Sequence, residues 1–498
     1  MVAIFERPGD YIGGRFTVAS DPDDEIVIHS PADLDDRVGV HDVSLDHVDR
    51  ALEAARGAQP GWAAAGEAER RTLLRNYQDR LRANAEAITE TLAREVGKPL
   101  WDARSEVGAM VGKVDLMLGE GAQWTADRRV ENLPGEIRWR PHGVLAVIGP
   151  FNFPGHLPNG QIVPGLLLGN TVVFKPSEKT PHTAVWMARC FEEAGAPPGV
   201  FNVIQGRAPL AERLVTHDEV DGILFTGSVP VGKKIAAANA DRPGRLIALE
   251  LGGKNATLVL DDADLERTVR QVAFASYATA GQRCTATSRV YATRGIVDAL
   301  TEALAETAAS VVVGYPLDDG VFMGPLIDDP ARRTLLEAQA RALKAGFEPV
   351  VPGGAREVPD HRGHYVTPSV HRAPRADIHV PGYTHDELFG PDVAIYAVDD
   401  LDEAIALANG TRYGMVTSVF TGSAPSFEHA ARSLRCGVVH WNRSSAGASG
   451  RLPFGGVKDS GNHRPAGILA GQLCAYPQAV QLAPTTEGPL PSWPGLGE

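Results

Sequence analysis

Only four cysteines occur in the 498 residues, Cys190, Cys284, Cys436 and Cys474, and no two of them form a C-x-x-C pair. That excludes a disulfide framework and a cysteine zinc centre, and it fits a reducing compartment, so a cytoplasmic protein is expected. No apolar run approaches the ~20 residues that a membrane-crossing helix requires. The opening stretch from Met1 to Gly14 has neither the basic start nor the apolar centre of a signal peptide. Basic residues are in the minority, 48 Lys and Arg against 62 Asp and Glu, giving a formal net charge of -14. This excludes a general nucleic-acid or anionic-membrane binder, and an anionic substrate would need a local basic pocket against that field. The histidines, among them His142, His156, His385 and His463, show no H-E-x-x-H or other paired ligand spacing. They read as ordinary loop or surface residues, and no metal is expected.

What is present is the balance of a globular enzyme, 43% hydrophobic and 22% charged, in a chain long enough for two or three domains. Between Asp46 and Glu120 the spacing is helical: Leu74, Tyr77, Leu81, Ala85, Ile88 and Leu92 recur at steps of three and four. Gly97-Lys98-Pro99 punctuates that region. Beyond Trp124, short apolar runs alternate with helical stretches: Val144 to Ile148, Thr171 to Phe174, Phe201 to Ile204 and Ile223 to Phe225. A second series follows at Ala256 to Leu260, Arg289 to Thr293, Val393 to Val398 and Ser418 to Phe420. Continuous apolar strands alternating with helices predict parallel sheets covered on both faces, hence a doubly wound α/β fold in two units with a crevice between them. The last sixteen residues, Ala483 to Glu498, are rich in proline and glycine and predict a loose tail.

Several residues carry chemistry. Cys284 follows Gly281-Gln282-Arg283, where glycine admits close backbone approach and Arg283 favours a thiolate. Glu250 ends the apolar run Leu246 to Leu249, a costly place for a carboxylate unless it is paired or serves as a base. Asn152, in Pro150-Phe151-Asn152-Phe153-Pro154, follows another buried strand and carries an amide that can donate to an oxyanion. Gly227-Ser228-Val229-Pro230-Val231-Gly232-Lys233-Lys234 has a phosphate-loop outline, but Lys234 stands where a magnesium-binding Ser or Thr belongs, so an ATPase is excluded. It can still open a helix whose N–H groups hold a pyrophosphate. Lys175-Pro176-Ser177-Glu178 places a base and an acid at a strand's carboxyl end, where a dinucleotide ribose lies. Taken singly, each of these also has an ordinary structural explanation.

In order along the chain, these segments, with Phe225-Thr226-Gly227-Ser228, Glu250-Leu251-Gly252-Gly253, Glu387-Leu388-Phe389-Gly390-Pro391 and Pro453-Phe454-Gly455-Gly456, resemble the aldehyde dehydrogenase superfamily from about Asn76 to Gln481. The resemblance implies that Cys284 is the nucleophile, that Asn152 and the Cys284 N–H hold the oxyanion, and that Glu250 activates water. It further implies that Lys175 and Glu178 meet the adenosine ribose, Ser228 the pyrophosphate, and Glu387 and Phe389 the nicotinamide ribose, with Ser177 and Gly227 also at the cofactor. Glu178 would favour NAD, with NADP a possible alternative. The implied architecture assigns 1–122 and 142–252 to the cofactor domain, 253–440 to the catalytic domain, 123–141 and 468–485 to an oligomerisation arm, and 486–498 to the tail. A homodimer or homotetramer is then expected.

A narrower likeness, to the branch of that family acting on N-succinylglutamate 5-semialdehyde, rests on Gly155-His156-Leu157-Pro158-Asn159-Gly160, Gly97-Lys98-Pro99-Leu100-Trp101, Ser460-Gly461-Asn462-His463-Arg464-Pro465 and Cys474-Ala475-Tyr476-Pro477. It implies a multiply charged aldehyde as substrate and cationic groups at the tunnel mouth, for which Arg283, Arg443 and Arg451 are candidates. Departures from that branch lie at Arg443-Ser444-Ser445-Ala446, at Lys254 and in the tail, and they leave room for recruitment to another aldehyde. A CoA-acylating or a non-catalytic homologue is the remaining alternative, and Glu250 beside Cys284 and Asn152 speaks against both.

Overall fold

The computed structural model describes residues 5–482 and 493–495. The helical region resolves into four helices, Asp46–Ala64, Glu67–Ala83, Ala85–Val96 and Leu100–Leu118. Leu74, Tyr77, Leu81, Ile88 and Leu92, the residues at three- and four-residue spacing, are fully buried. The third helix ends where Gly97 turns left-handed at φ 81° and its N–H bonds the Ala93 carbonyl. A Cβ at Gly97 would strike Pro325, so the turn and its packing both need glycine.

The first large sheet has seven strands in the order Leu246–Glu250, Gly222–Thr226, Val144–Ile148, Thr171–Lys175, Phe201–Val203, Asp10–Ile12, Arg15–Thr17. The first five run parallel and the last two antiparallel. The chain starts this parallel set in the middle, at Val144–Ile148, builds outward on one side, then returns to build on the other. The order therefore reverses between Val144–Ile148 and Gly222–Thr226, and a crevice opens beyond their carboxyl ends. Asn152 and Ser228 follow those two strand ends.

The second sheet also has seven strands: Glu348–Val351, Ser369–Arg372, Asp392–Val398, Thr287–Thr293, Asn255–Val259, Val416–Phe420 and Val438–Trp441, parallel except for the first pair. This is the doubly wound α/β arrangement expected from the alternation of apolar runs and helices. Leu251 to Lys254 is the whole connection between the two sheets, so Glu250 stands at the end of the first sheet and beside the start of the second. A smaller antiparallel sheet pairs Arg128–Arg129, Gly135–Pro141 and Ala475–Gln481. A further antiparallel pair, Asp24–Ser30 with Asp33–Val43, was not expected from the sequence. Of the expected tail, only 493–495 falls within the described residues. Among those residues no helix is long and apolar enough to cross a membrane.

Candidate active site

Cys284 is reached through three consecutive left-handed residues, Thr279, Ala280 and Gly281, at φ 57°, 53° and 69°. Such a conformation costs an ordinary residue about 1–2 kcal/mol, so the surroundings must hold it. They do. The Thr279 hydroxyl donates to Asp102 at 2.6 Å, Gln282 Oε1 accepts the Ile327 N–H at 2.9 Å, and a Cβ at Gly281 would lie 2.3 Å from the Gly390 carbonyl oxygen. The loop delivers a partly exposed cysteine to the cavity, whereas Cys190 and Cys474 are buried in the core. The Cys284 Sγ lies 3.9 Å from Glu250 Oε1. Asn152 closes the group, its Nδ2 donating to the Gln282 carbonyl at 2.8 Å.

The electrostatics follow from burial. Glu250 is only 1% exposed, and desolvation pushes its pKa up to about 7, with Lys113 opposing. Burial also pushes the Cys284 thiol well above its ordinary value, Glu250 and Glu387 add to this, and Arg283 opposes it. The ground state is therefore a thiol facing a carboxylate able to take its proton near neutrality.

The two glycines after Glu250 are required by contact. A Cβ at Gly252 would sit 2.0 Å from Glu387 Oε2, and one at Gly253 would sit 2.4 Å from the Cys284 carbonyl oxygen. Gly253→Ala is therefore expected to displace the nucleophile loop and lower kcat by about 100-fold, the scale of a roughly 1 Å misplacement. Steady-state kinetics beside a thermal unfolding curve would check this, and a kcat near that of the parent protein would refute the tight fit.

Several residues expected at a dinucleotide lie at or just past strand ends of the first sheet. Lys175 is buried at its strand end, donates to the Pro176 carbonyl at 2.6 Å and lies 3.8 Å from Glu178 Oε2. Burial lowers its pKa to about 8 against the pull of Glu178. Ser177 Oγ accepts the Lys179 N–H at 3.3 Å. The Gly227 N–H donates to the Glu250 carbonyl at 3.0 Å, tying this turn to the catalytic strand end. Ser228 precedes the helix Val229–Ala238, but its exposed hydroxyl makes no cap hydrogen bond. Nearby, Thr226 Oγ1 is buried without a partner among the described residues. Glu387 Oε1 accepts the Gly253 N–H at 2.7 Å, and burial raises this carboxyl to about 7. Phe389, left-handed at φ 52°, meets Phe151 edge-on at 5.8 Å between centroids. Free donors at a helix start and an orphaned hydroxyl suit an anionic diphosphate.

A cavity of about 740 Å³ opens over Cys284, lined among others by Phe153, His156, Lys113, Arg283 and Arg451. The three arginines expected at its entrance part company. Arg451 is exposed on the cavity wall and pairs with Glu120 at 2.6 Å. Arg283 reaches the cavity but is bound to Asp102 at 2.9 Å, packed over Phe153 and Phe274. Arg443 is exposed and absent from the cavity wall, so the entrance set loses it.

His156, expected to be an ordinary loop or surface residue, instead opens the helix His156–Leu167 and faces the cavity. The helix Leu100–Leu118 lies in the region expected to be helical, but the part its residues play at this site was missed. There Asp102 holds Arg283 and Thr279, while Glu106 accepts the N–H groups of Gly155 and His156 at 2.9 and 3.0 Å. Asp102, Glu106 and Lys113 stand four and seven residues apart, a spacing that puts them on one helix face and was readable in advance. Ser445, in the divergent stretch, donates to the Thr285 carbonyl at 2.6 Å and so props the loop just after the thiol. Among the described residues no group of three or more His, Cys, Asp or Glu is placed to hold a metal ion.

The family model described as "Aldehyde dehydrogenase family" matches residues 17–479. The chain is 41% identical over 463 residues to the N-succinylglutamate 5-semialdehyde dehydrogenase of Novosphingobium aromaticivorans, covering 91% of this chain and 95% of that protein. It is 40% identical over 460 residues to the enzyme of the same name from Chromohalobacter salexigens, covering 91% and 92%. Among solved structures it is similar to an NAD-dependent aldehyde dehydrogenase from Sinorhizobium meliloti, with a TM-score of 0.92 and 30% identity, covering 97% of this chain and 96% of that one.

Proposed function

Because the chain belongs to the aldehyde dehydrogenase family and is an oxidoreductase acting on aldehydes, we propose that it oxidises N-succinylglutamate 5-semialdehyde, or a closely related carboxylated semialdehyde, to the carboxylate, with NAD as hydride acceptor. The observation that carries the chemistry is the Cys284 thiol 3.9 Å from the buried Glu250 carboxylate, on the wall of a cavity. The names of the two relatives support the substrate.

In this reading Glu250 takes the thiol proton, and the sulfur bonds the aldehyde carbon as the carbonyl pair moves to oxygen. The Asn152 amide and the Cys284 N–H, which has no backbone acceptor among the described residues, receive that oxyanion. Lys175, Ser177, Glu178, Gly227, Ser228, Glu387 and Phe389 would hold a nicotinamide dinucleotide, which would supply the hydride acceptor. Loss of hydride from the former aldehyde carbon leaves a thioester on Cys284. Glu250 then passes the thiol proton to solvent and takes a proton from water as the water oxygen bonds the acyl carbon. The carbon–sulfur bond breaks, the sulfur takes that proton back from Glu250, and the new acid loses its own to solvent as the carboxylate leaves.

The division of labour gives 1–122 and 142–252 to the cofactor and 253–440 to the thiol. The antiparallel strands Gly135–Pro141 and Ala475–Gln481 support a homodimer or homotetramer joined through 123–141 and 468–485. Four unpaired cysteines support a cytoplasmic setting.

Formation of reduced nicotinamide across a panel of semialdehydes tests the substrate. The expected result is the highest kcat/KM with N-succinylglutamate 5-semialdehyde, and faster turnover of uncharged aldehydes would overturn it. For the cofactor, a carboxylate at Glu178 accepts a ribose 2′-hydroxyl and repels a 2′-phosphate. Glu178→Gln is expected to raise the NADP-to-NAD ratio of kcat/KM by roughly tenfold. An unchanged ratio would remove Glu178 from cofactor selection.

A further inference from the structure

The cations on the cavity wall are not equivalent. Arg283 is neutralised by Asp102 and Arg451 by Glu120. The nearby Lys98, fully buried, is neutralised by Glu106 at 2.6 Å. Lys113 differs: it is 6% exposed, it lines the cavity, and among the described residues no carboxylate lies within ion-pair distance of it. Its one hydrogen bond is donated to the Gly467 carbonyl at 2.9 Å. Beside it on the same wall stands His156, whose Nδ1 is buried and without a partner among the described residues.

An unpaired ammonium in a buried wall is costly unless something supplies the missing charge. The acids on that wall do not: Asp102 and Glu106 are committed as above, Asp115 is bound by Arg75 and Arg82, and Glu120 by Arg451. The cost is visible in the lysine itself, whose pKa burial lowers to about 8, Cys474 and Glu250 opposing. His156 is lowered to about 4 by burial, by Lys113 and by Lys98, so its ring is neutral at pH 7 and has a hydrogen bond to give.

We propose that Lys113 is the specificity-determining residue of the tunnel, its ammonium pairing with a carboxylate of the bound aldehyde while His156 adds a neutral hydrogen bond to the same substrate. The substrate class follows: aldehydes carrying a carboxylate that enters the tunnel, favoured over uncharged aldehydes of equal length. This deepens the substrate reading above and rests on the assignment of Cys284 as nucleophile.

The test compares 5-oxopentanoate with pentanal, which share a five-carbon aldehyde chain and differ in the terminal carboxylate, and adds N-succinylglutamate 5-semialdehyde. In Lys113→Met the ratio of kcat/KM for 5-oxopentanoate over pentanal is expected to fall about a hundredfold, through KM, the scale of a lost buried charge-assisted hydrogen bond. Lys113→Arg should recover most of it. If the Met variant fails to fold, Lys113→Gln and Lys113→Arg give the same comparison. Loss of both substrates together, with a shift of the pH limb belonging to Glu250, would mean that Lys113 acts through Glu250, and it would overturn the proposal. An unchanged ratio would overturn it too. Should the parent protein ignore N-succinylglutamate 5-semialdehyde while Lys113→Met still loses the 5-oxopentanoate preference, the named substrate falls and this inference stands.

Discussion

Cys284→Ala is expected to lower aldehyde-dependent formation of reduced nicotinamide by at least about 10⁴-fold while leaving dinucleotide binding unchanged. The size follows from what the sulfur does: without it no covalent bond holds the aldehyde carbon, and a hydrated aldehyde bound in the cavity would be the only hydride donor left. Folding should survive, because Cys284 faces the cavity and its loop is held by neighbours. The left-handed turn is fixed by Thr279 on Asp102 and by Gln282 on Ile327, and neither contact involves the sulfur. Cys190 and Cys474 are natural controls. Both are buried away from the cavity, with pKa values pushed up to about 12 by burial. Their replacement by Ala should cost stability rather than chemistry, on the order of 1–2 kcal/mol. Stopped-flow absorbance with quenching of intrinsic fluorescence by the dinucleotide separates the two effects. Turnover within about tenfold of the parent protein in Cys284→Ala would end the thioester mechanism.

How much of this was legible in the sequence depends on the range of the interaction. Strands such as Val144–Ile148 and Thr171–Lys175 are continuous apolar runs because both faces of the sheet are covered, and burial on both faces writes itself into composition. Glu250 was legible for a related reason, since a carboxylate closing such a run must answer for its desolvation. Arg283 shows the opposite case. Beside the nucleophile it reads as an exposed cation, but Asp102, 181 residues earlier, consumes its charge. Lys113 is the mirror image: on a helix it reads as a solvated face, and only the fold reveals that the expected solvent is a cavity wall without a counter-charge. The hairpin Asp24–Ser30 with Asp33–Val43 escaped because acidic residues are frequent in it and its alternation is broken by two register shifts. Pairing of charges between elements distant in sequence leaves no period to detect, and it is where reading from sequence stops.

Glu250→Gln should separate the two halves of the reaction. Both halves use a base once per turnover, but a thiol is acidic enough to lose its proton slowly to solvent, whereas water needs a base positioned beside the acyl carbon. The variant is therefore expected to give a burst of reduced nicotinamide close to one per subunit, followed by a steady rate lower by about 10³-fold. Intact-mass analysis during the steady phase should find the acyl group on Cys284. The parent protein adds a pH signature with a definite sign. Desolvation raises the Glu250 carboxyl to about 7, and only its ionised form can accept a proton from water. The hydrolytic rate should thus climb with pH through about 7 and level off above it. In Glu250→Gln that limb should vanish, because the amide has nothing to titrate. Glu387, raised to about 7 as well, is a neighbouring carboxyl able to imitate this limb. Glu387→Gln tells them apart, since it should leave the limb in place and weaken dinucleotide binding instead. A limb that survives Glu250→Gln and disappears in Glu387→Gln would transfer the base role to Glu387, and an adduct-free Cys284 under single-turnover conditions would remove Glu250 from hydrolysis altogether.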